Sequence, residues 1–336
     1  MTAPRLPGRT GNPERDRRAR AIALGDAAAW TPPEVRDAAT VILLRDSPDG
    51  PQVHLQRRAA ALSFASGMHV FPGGRVDAAD YEPAVPWRAS PGSSLPQPAL
   101  RRTTAEALIV AGIRETYEEI GVLLAVDPSG RAPATDDATW LRDRLALVRG
   151  ELGFAEFLTA RGLLIDPASV AMWSHWVSPA TESRRYDTRF FVAEVPAGQA
   201  DSELVMDHHD DTVLVAESEG QQWLRPADAL AEAAAGSLPL LRPTAQTLAT
   251  LVGFDSVADV RHAAVHREVR PRMGHPVAID GDRVVWAEVD AYTGETIGAF
   301  DIAVPPSEVD GMTERGEPDG MTERGEPDGM TEVSDP

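Results

Sequence analysis

The residues best suited to chemistry are three glutamates set close together. Glu115, Glu118 and Glu119 follow Arg114 in the run Arg-Glu-Thr-Tyr-Glu-Glu-Ile-Gly. At about 100° per residue, a helix puts the three carboxylates on one arc. The opposite side carries an apolar stripe of Ile109, Ile113, Tyr117 and Ile120. Like charges on one arc repel, and near a helix C-terminus the dipole disfavours them further. A hard divalent cation such as Mg²⁺ or Mn²⁺, which takes carboxylate oxygens, neutralises such a cluster. The plainer alternative is a solvated acidic helix face. Upstream, Phe71-Pro-Gly-Gly74 offers bare backbone that can approach a metal or a phosphate.

These residues need elements to hold them. The apolar stripe predicts a helix over Thr103–Ile120, closed by Gly121. Ala38–Arg45 and Gln52–Arg57 read as a hairpin around Asp46-Ser-Pro-Asp-Gly50. Residues 78–100, dense in Pro, Ser and Ala, read as a surface insertion. Ala138–Leu158 is helical, with Leu141, Leu145, Val148 and Leu152 at heptad-like spacing and Gly150 and Gly153 as breaks. Ala171–Ser178, Asp187–Val195 and Thr212–Ala216 read as strands. Pro226–Ala235, Pro243–Val252 and Val257–Val265 read as helices, and Pro276–Ile279 and Arg283–Val289 as a last strand pair. Trp173 and Trp176, three apart in a strand, are expected on opposite sides of it. Strands mixed with helices argue for α/β or α+β.

Composition narrows the classes. The chain has 336 residues, 43% of them hydrophobic and 25% charged, enough to bury a sizeable core. It has no cysteine, which excludes disulfide scaffolds, thiolate zinc sites, iron–sulfur clusters and cysteine nucleophiles. No apolar run reaches the roughly 18 residues of a membrane span, and no secretory signal is visible, so a cytoplasmic protein is expected. The net charge of −20 disfavours nonspecific nucleic-acid binding. Residues 1–20 hold six Arg and two acids (+4), and residues 306–336 hold ten acids and two Arg (−8), which leaves −16 for the middle. Every basic side chain other than histidine is Arg. Residues 1–35 read as a flexible leader with one short helix around Ala19–Leu24. A nine-residue unit repeats from Asp310, Asp319 and Asp328, so residues 305–336 read as a disordered acidic tail.

The combined pattern resembles the Nudix hydrolases. Their signature is a Gly, five residues, a Glu, seven residues and then Arg-Glu-x-x-Glu-Glu-x-Gly. The segment Glu106–Val122 keeps every polar position, with Thr116 where an aliphatic is usual. Gly74 precedes Glu106 by about 30 residues. Such a split box resembles the subgroup that includes peroxisomal acyl-coenzyme A diphosphatases. Trp176-Val-Ser-Pro179, Arg184-Arg-Tyr-Asp-Thr-Arg-Phe-Phe191 and Trp223-Leu-Arg-Pro226 look similar as well. The resemblance implies an α/β/α sandwich with a mixed sheet over 36–255, a helical insertion at 137–165 and a C-terminal extension at 256–304. It also implies metal-dependent hydrolysis of a small-molecule diphosphate, with no nucleic-acid or membrane partner. Glu115, Glu118 and Glu119 would bind Mg²⁺ or Mn²⁺ with the Gly73 carbonyl, and Arg114 would hold the carboxylates.

Some roles stay open. Glu106 either orients the metal site or completes a Thr103-x-x-Glu106 capping box. Glu217 is a further base or ligand, with Glu219 and Asp210–Asp211 competing. His208 and His209 read as loop residues. Arg58, Ala59, Gly67 and Phe71 to Gly74 resemble the run found in coenzyme A-cleaving members, except that Ser63 replaces an Arg. Arg58, Gly67, Phe71 and Gly74 are therefore candidate substrate-binding residues, with Arg57 or Arg75 as possible substitutes for the missing cation. Arg184, Arg185 and Arg189 are either phosphate ligands or ordinary surface arginines. Rival substrates are NADH, ADP-ribose or another nucleotide. A non-catalytic ligand-binding regulator is the rival from another class.

Overall fold

The computed structural model describes residues 13–26, 28–58, 67–82, 84–88, 101–199, 218–281 and 283–299. Its centre is strand β1 (Val35–Arg45), in which Val41, Ile42, Leu43 and Leu44 are all fully buried. An unbroken apolar run of this kind fits a strand covered on both faces. β1 forms the expected hairpin with β2 (Gln52–Arg58), Leu44 facing Val53. β3 (His69–Val70) pairs with β2, and β4 (Gly73–Arg75) pairs with β1 through Ala39↔Gly74 and Thr40↔Gly73.

The longest helix is α2 (Arg102–Ile120), followed by a small pair of strands, β5 (Ala125–Val126) and β6 (Leu164–Ile165). Between these two strands lie α3 (Ala138–Val148) and α4 (Phe154–Ala160). Then come β7 (Val170–Val177), β8 (Arg185–Glu194) and β9 (Ser218–Leu224). Helices α5 (Pro226–Ala235), α6 (Arg242–Ala249) and α7 (Val257–His266) precede β10 (Pro271–Asp280), β11 (Arg283–Asp290) and β12 (Thr296–Ala299).

The main sheet runs β12-β11-β10-β7-β8-β1-β2-β3, with β4 on β1 and β9 on β2. It is mixed: β1 and β8 are parallel, as are β7 and β10, while the other pairs are antiparallel. One core layer joins its first face to α2, α3 and α4. A second joins the other face to α5, α6 and α7. The result is the expected α/β/α sandwich. No helix among the described residues is long and apolar enough to cross a membrane.

Several expectations change on contact with the structure. The first helix, α1, spans Pro13–Ala23 and lies against β10 and β11. It lacks an apolar stripe because arginines attach it. Arg18 stacks 4.0 Å from the Trp30 ring and donates to the Thr181 carbonyl, and Arg15 pairs with Glu182 at 2.7 Å. The 138–158 segment does break at its glycines, but the buried stripe of α3 is Trp140, Arg144 and Leu147, while Leu141 is exposed. Trp173 and Trp176 share one face, against α5–α7. The pairing of β7 with β8 shifts between Met172 and Ser174, and that bulge resets the alternation. Strands β10 and β11 together run longer than their apolar stretches. The expected strand Thr212–Ala216 lies outside the described residues, as do His208, His209 and the repeat tail.

Candidate active site

The last two turns of α2 meet the tight turn into β4. Glycine permits the contact. A Cβ on Gly74 would lie 2.5 Å from the Glu115 carboxylate, and one on Gly73 would lie 2.4 Å from the Ala39 carbonyl oxygen. The Gly73 N–H donates to Glu119 Oε2 at 2.9 Å, and Gln56 Nε2 on β2 donates to the same oxygen at 2.5 Å.

Arg114 organises the other two carboxylates. Its Nη1 donates to Glu115 Oε1 at 2.8 Å and to Glu118 Oε2 at 3.4 Å. On its far side it grips Asp80 with both edges of the fork, Nε to Oδ1 at 2.9 Å and Nη2 to Oδ2 at 3.0 Å. The Asp80 side chain is 1% exposed and the Arg114 side chain 11%. Asp80 belongs to a short 3-10 turn, Ala78–Tyr81, and also accepts the Asp77 N–H at 2.8 Å.

Asp80 answers a question the spacing left open. It stands six positions after Gly74, where the family signature puts its first acid. That signal was present, since five residues separate Gly74 from an acid. Glu106 stands elsewhere. It pairs with Arg102, one turn back on α2, at 2.7 Å. It forms no capping box, because Arg101 is the N-cap and no side-chain cap bond is made.

The helical insertion braces the same turn. Arg144 Nε donates to the Glu118 carbonyl at 3.0 Å, and the Tyr117 hydroxyl donates to the Trp140 carbonyl at 3.0 Å. A cation beside the last carbonyls of a helix satisfies orphan acceptors and the dipole together. Thr116, in the usual aliphatic position, is fully buried and turns its hydroxyl onto the Gly112 carbonyl at 2.7 Å. Neither Gln56 nor Arg144 carries a signal in the sequence.

The electrostatics are those of crowded, desolvated carboxylates. Burial pushes the Glu115 carboxyl up to about 7, against the pull of Arg114 and with Glu118 adding repulsion. Burial and the neighbouring Glu115 charge push Glu119 up to about 8, against the Gly73 and Gln56 hydrogen bonds and the Arg58 charge. Glu118 is raised by burial, against the pull of Arg114. The carboxylates are splayed onto Arg114, Gln56 and Gly73, and no three acidic or histidine side chains among the described residues are grouped as ligands. The chemistry of the set nevertheless fits a hard divalent ion. All the donors are oxygens, and the raised proton affinity marks negative charge that a cation would relieve.

The remaining candidates separate. Arg58 ends β2, and its charge acts on Glu119. Gly67 donates to the Arg58 carbonyl at 3.0 Å and so returns the chain beside it. Phe71 is a core residue, 3% exposed and edge-on to Phe190, so it anchors the turn from beneath. Arg75 pairs with Asp77 at 2.8 Å. Arg189 is buried between Asp37 and Asp187, and Arg185 donates to the Ser178 and Pro33 carbonyls, so both serve the scaffold. Glu217 lies outside the described residues.

No family model matches the chain. It is 26% identical over 275 residues to the acyl-coenzyme A diphosphatase NUDT19 of Gallus gallus, covering 67% of this chain and 70% of that protein. It is 27% identical over 296 residues to the Homo sapiens protein of the same name, covering 76% and 73%. Among solved structures, a Nudix hydrolase from Alicyclobacillus acidocaldarius matches with a TM-score of 0.56 and 28% identity, covering 68% of this chain and 96% of that one.

Proposed function

We propose that this chain, a Nudix hydrolase by sequence and by fold, hydrolyses the diphosphate of coenzyme A or an acyl-coenzyme A with Mg²⁺ or Mn²⁺ as cofactor. The observation that carries the reaction class is the Glu115–Glu118–Glu119 arc pressed against the Gly73–Gly74 turn. The names of the curated relatives support the substrate. Glu115, Glu118, Glu119 and the Gly73 carbonyl would hold the ion. A divalent ion bound there withdraws charge from the diphosphate and lowers the pKa of water. Arg114, clamped by Asp80, keeps Glu115 and Glu118 at the reacting end of α2. Arg58 contacts a substrate phosphate. In the overall reaction a water oxygen bonds to one phosphorus and the bridging oxygen leaves with the other. The products are 3′,5′-ADP and a 4′-phosphopantetheine species.

The test is kcat/KM for coenzyme A, acyl-coenzyme A, NADH and ADP-ribose at fixed Mn²⁺. Coenzyme A or its thioester should rank first. A coenzyme A value about tenfold or more below NADH or ADP-ribose refutes the substrate and leaves the hydrolase standing. Arg58→Ala should raise KM more than it lowers kcat, as expected for a contact made equally in ground and transition states.

A further inference from the structure

A continuous run of hydrogen-bonded side chains leads from the C-terminal strands to the turn that carries Asp80. Tyr292 follows β11, and its hydroxyl donates to Asp187 Oδ2 at 2.7 Å. Its ring stands edge-on to His175, with centroids 5.8 Å apart. His175 is fully buried, and its Nε2 pairs with Asp187 Oδ1. Arg189 Nη1 lies 2.9 Å from Asp187 Oδ1 and donates to Asp37 Oδ1 at 3.0 Å, while Nη2 donates to the Tyr292 hydroxyl at 3.3 Å. On the other side of Asp37, the Tyr81 hydroxyl donates to Oδ2 at 3.3 Å, and the Val76 N–H donates to the Asp37 carbonyl at 2.9 Å. Asp37 therefore grips the 76–81 segment at both ends. Asp80, directly before Tyr81 in that segment, is clamped on Arg114.

The charges in this run depend on one another. Arg189 is 3% exposed, so its guanidinium needs both Asp37 and Asp187 as partners. Removing the Tyr292 hydroxyl takes a donor from Asp187 and an acceptor from the nearly buried Arg189 Nη2, which then has to be satisfied from within the run. We infer that the C-terminal hairpin is part of the catalytic scaffold, with Tyr292 a positioning residue that acts through Asp187, Arg189 and Asp37 to fix the 76–81 turn and so Asp80 against Arg114. This inference rests on the hydrolase reading but not on coenzyme A as the substrate.

Tyr292→Phe tests it, because the variant removes one hydroxyl and keeps an exposed ring. On whichever diphosphate the wild-type protein turns over, kcat should fall about fivefold with KM unchanged. Amide exchange over 76–81, measured without metal or substrate, should quicken by about the same factor. Tyr81→Phe should act in the same direction. The double variant should lose no more than the worse single one, because both act through Asp37. Wild-type kcat and exchange in Tyr292→Phe overturn the inference, and so do losses that multiply in the double variant. If the wild-type protein turns over no diphosphate, the hydrolase reading fails and exchange alone decides, with unchanged exchange as the negative result.

Discussion

The two faces of the sheet are built differently. Beneath α5–α7 the layer is almost wholly apolar, with Ile42, Leu44, Leu55, Trp173 and Leu248 fully buried. On the α2 side a comparable layer of Leu108, Ile113, Tyr117 and Phe157 gives way to buried or half-buried charges: Asp80, Arg114, Glu115, Glu119, Arg189 and Asp187. Apolar burial stabilises without conditions, whereas buried charges contribute little net stability and lose heavily when one partner goes. One face therefore holds the fold, and the other spends part of that stability on a site.

The sharpest way to break this division is Glu119→Gln. Turnover should fall by roughly 10²–10³-fold, while the metal-free melting temperature, taken above about pH 8 where both carboxyls are charged, holds or rises because repulsion with Glu115 is relieved. Full activity in that variant, or in excess EDTA, removes the α2 end from the reaction. On the apolar face, Trp173→Ala should cost roughly 3–5 kcal/mol in a denaturant melt and leave kcat per folded molecule unchanged. A specific loss of kcat there would join the two faces.

Asp80→Asn against Glu106→Gln sharpens the reading within the α2 face. The first loosens a buried bidentate clamp and should lower kcat about tenfold. The second breaks a surface i,i+4 pair worth about 0.5 kcal/mol or less and should change little. Equal losses would return Glu106 to the site.

The smallest expected effect is on pH. Native Glu115 and Glu119 keep protons up to about 7 and 8, whereas the unfolded chain loses them near 4.5. The native state therefore binds more protons in that interval, and stability falls as pH rises through it. Buried His54, His69 and His175 titrate below 6.5 and work in the opposite direction, so the carboxyls are isolated from about pH 6.5 to 8.5. Urea midpoints in EDTA should drop across that window, and less steeply in Glu119→Gln. A flat wild-type profile contradicts the desolvated pair.

Helical spacing reveals neighbours along one helix, which is why Arg114, Glu115, Glu118 and Glu119 were legible together. It says nothing of Asp80, which reaches Arg114 across 34 residues of chain. Alternation assumes an unbroken pleat, so the bulge at Trp173 hid the shared face of the two tryptophans. Heptad spacing in α3 favoured Leu141 over Trp140, because it cannot tell which stripe a helix turns inward. Arg185 and Arg189 show a further limit. A guanidinium looks the same in sequence whether it meets phosphate or two aspartates of its own chain.

Asp80 has one more consequence. With Asp80 clamped on Arg114 and Arg102 opening α2, the stretch between Tyr81 and Arg102 is fastened at both ends outside the reacting residues. Closing a connector grows costlier only with the logarithm of its length, about 0.6 kcal/mol per doubling. Within this stretch Val85 is buried in the α2-side core, and residues 86–88 pair with Ile165, the Pro86 carbonyl accepting its N–H and the Arg88 N–H donating to its carbonyl, so the start of the connector is also tied to the helical insertion.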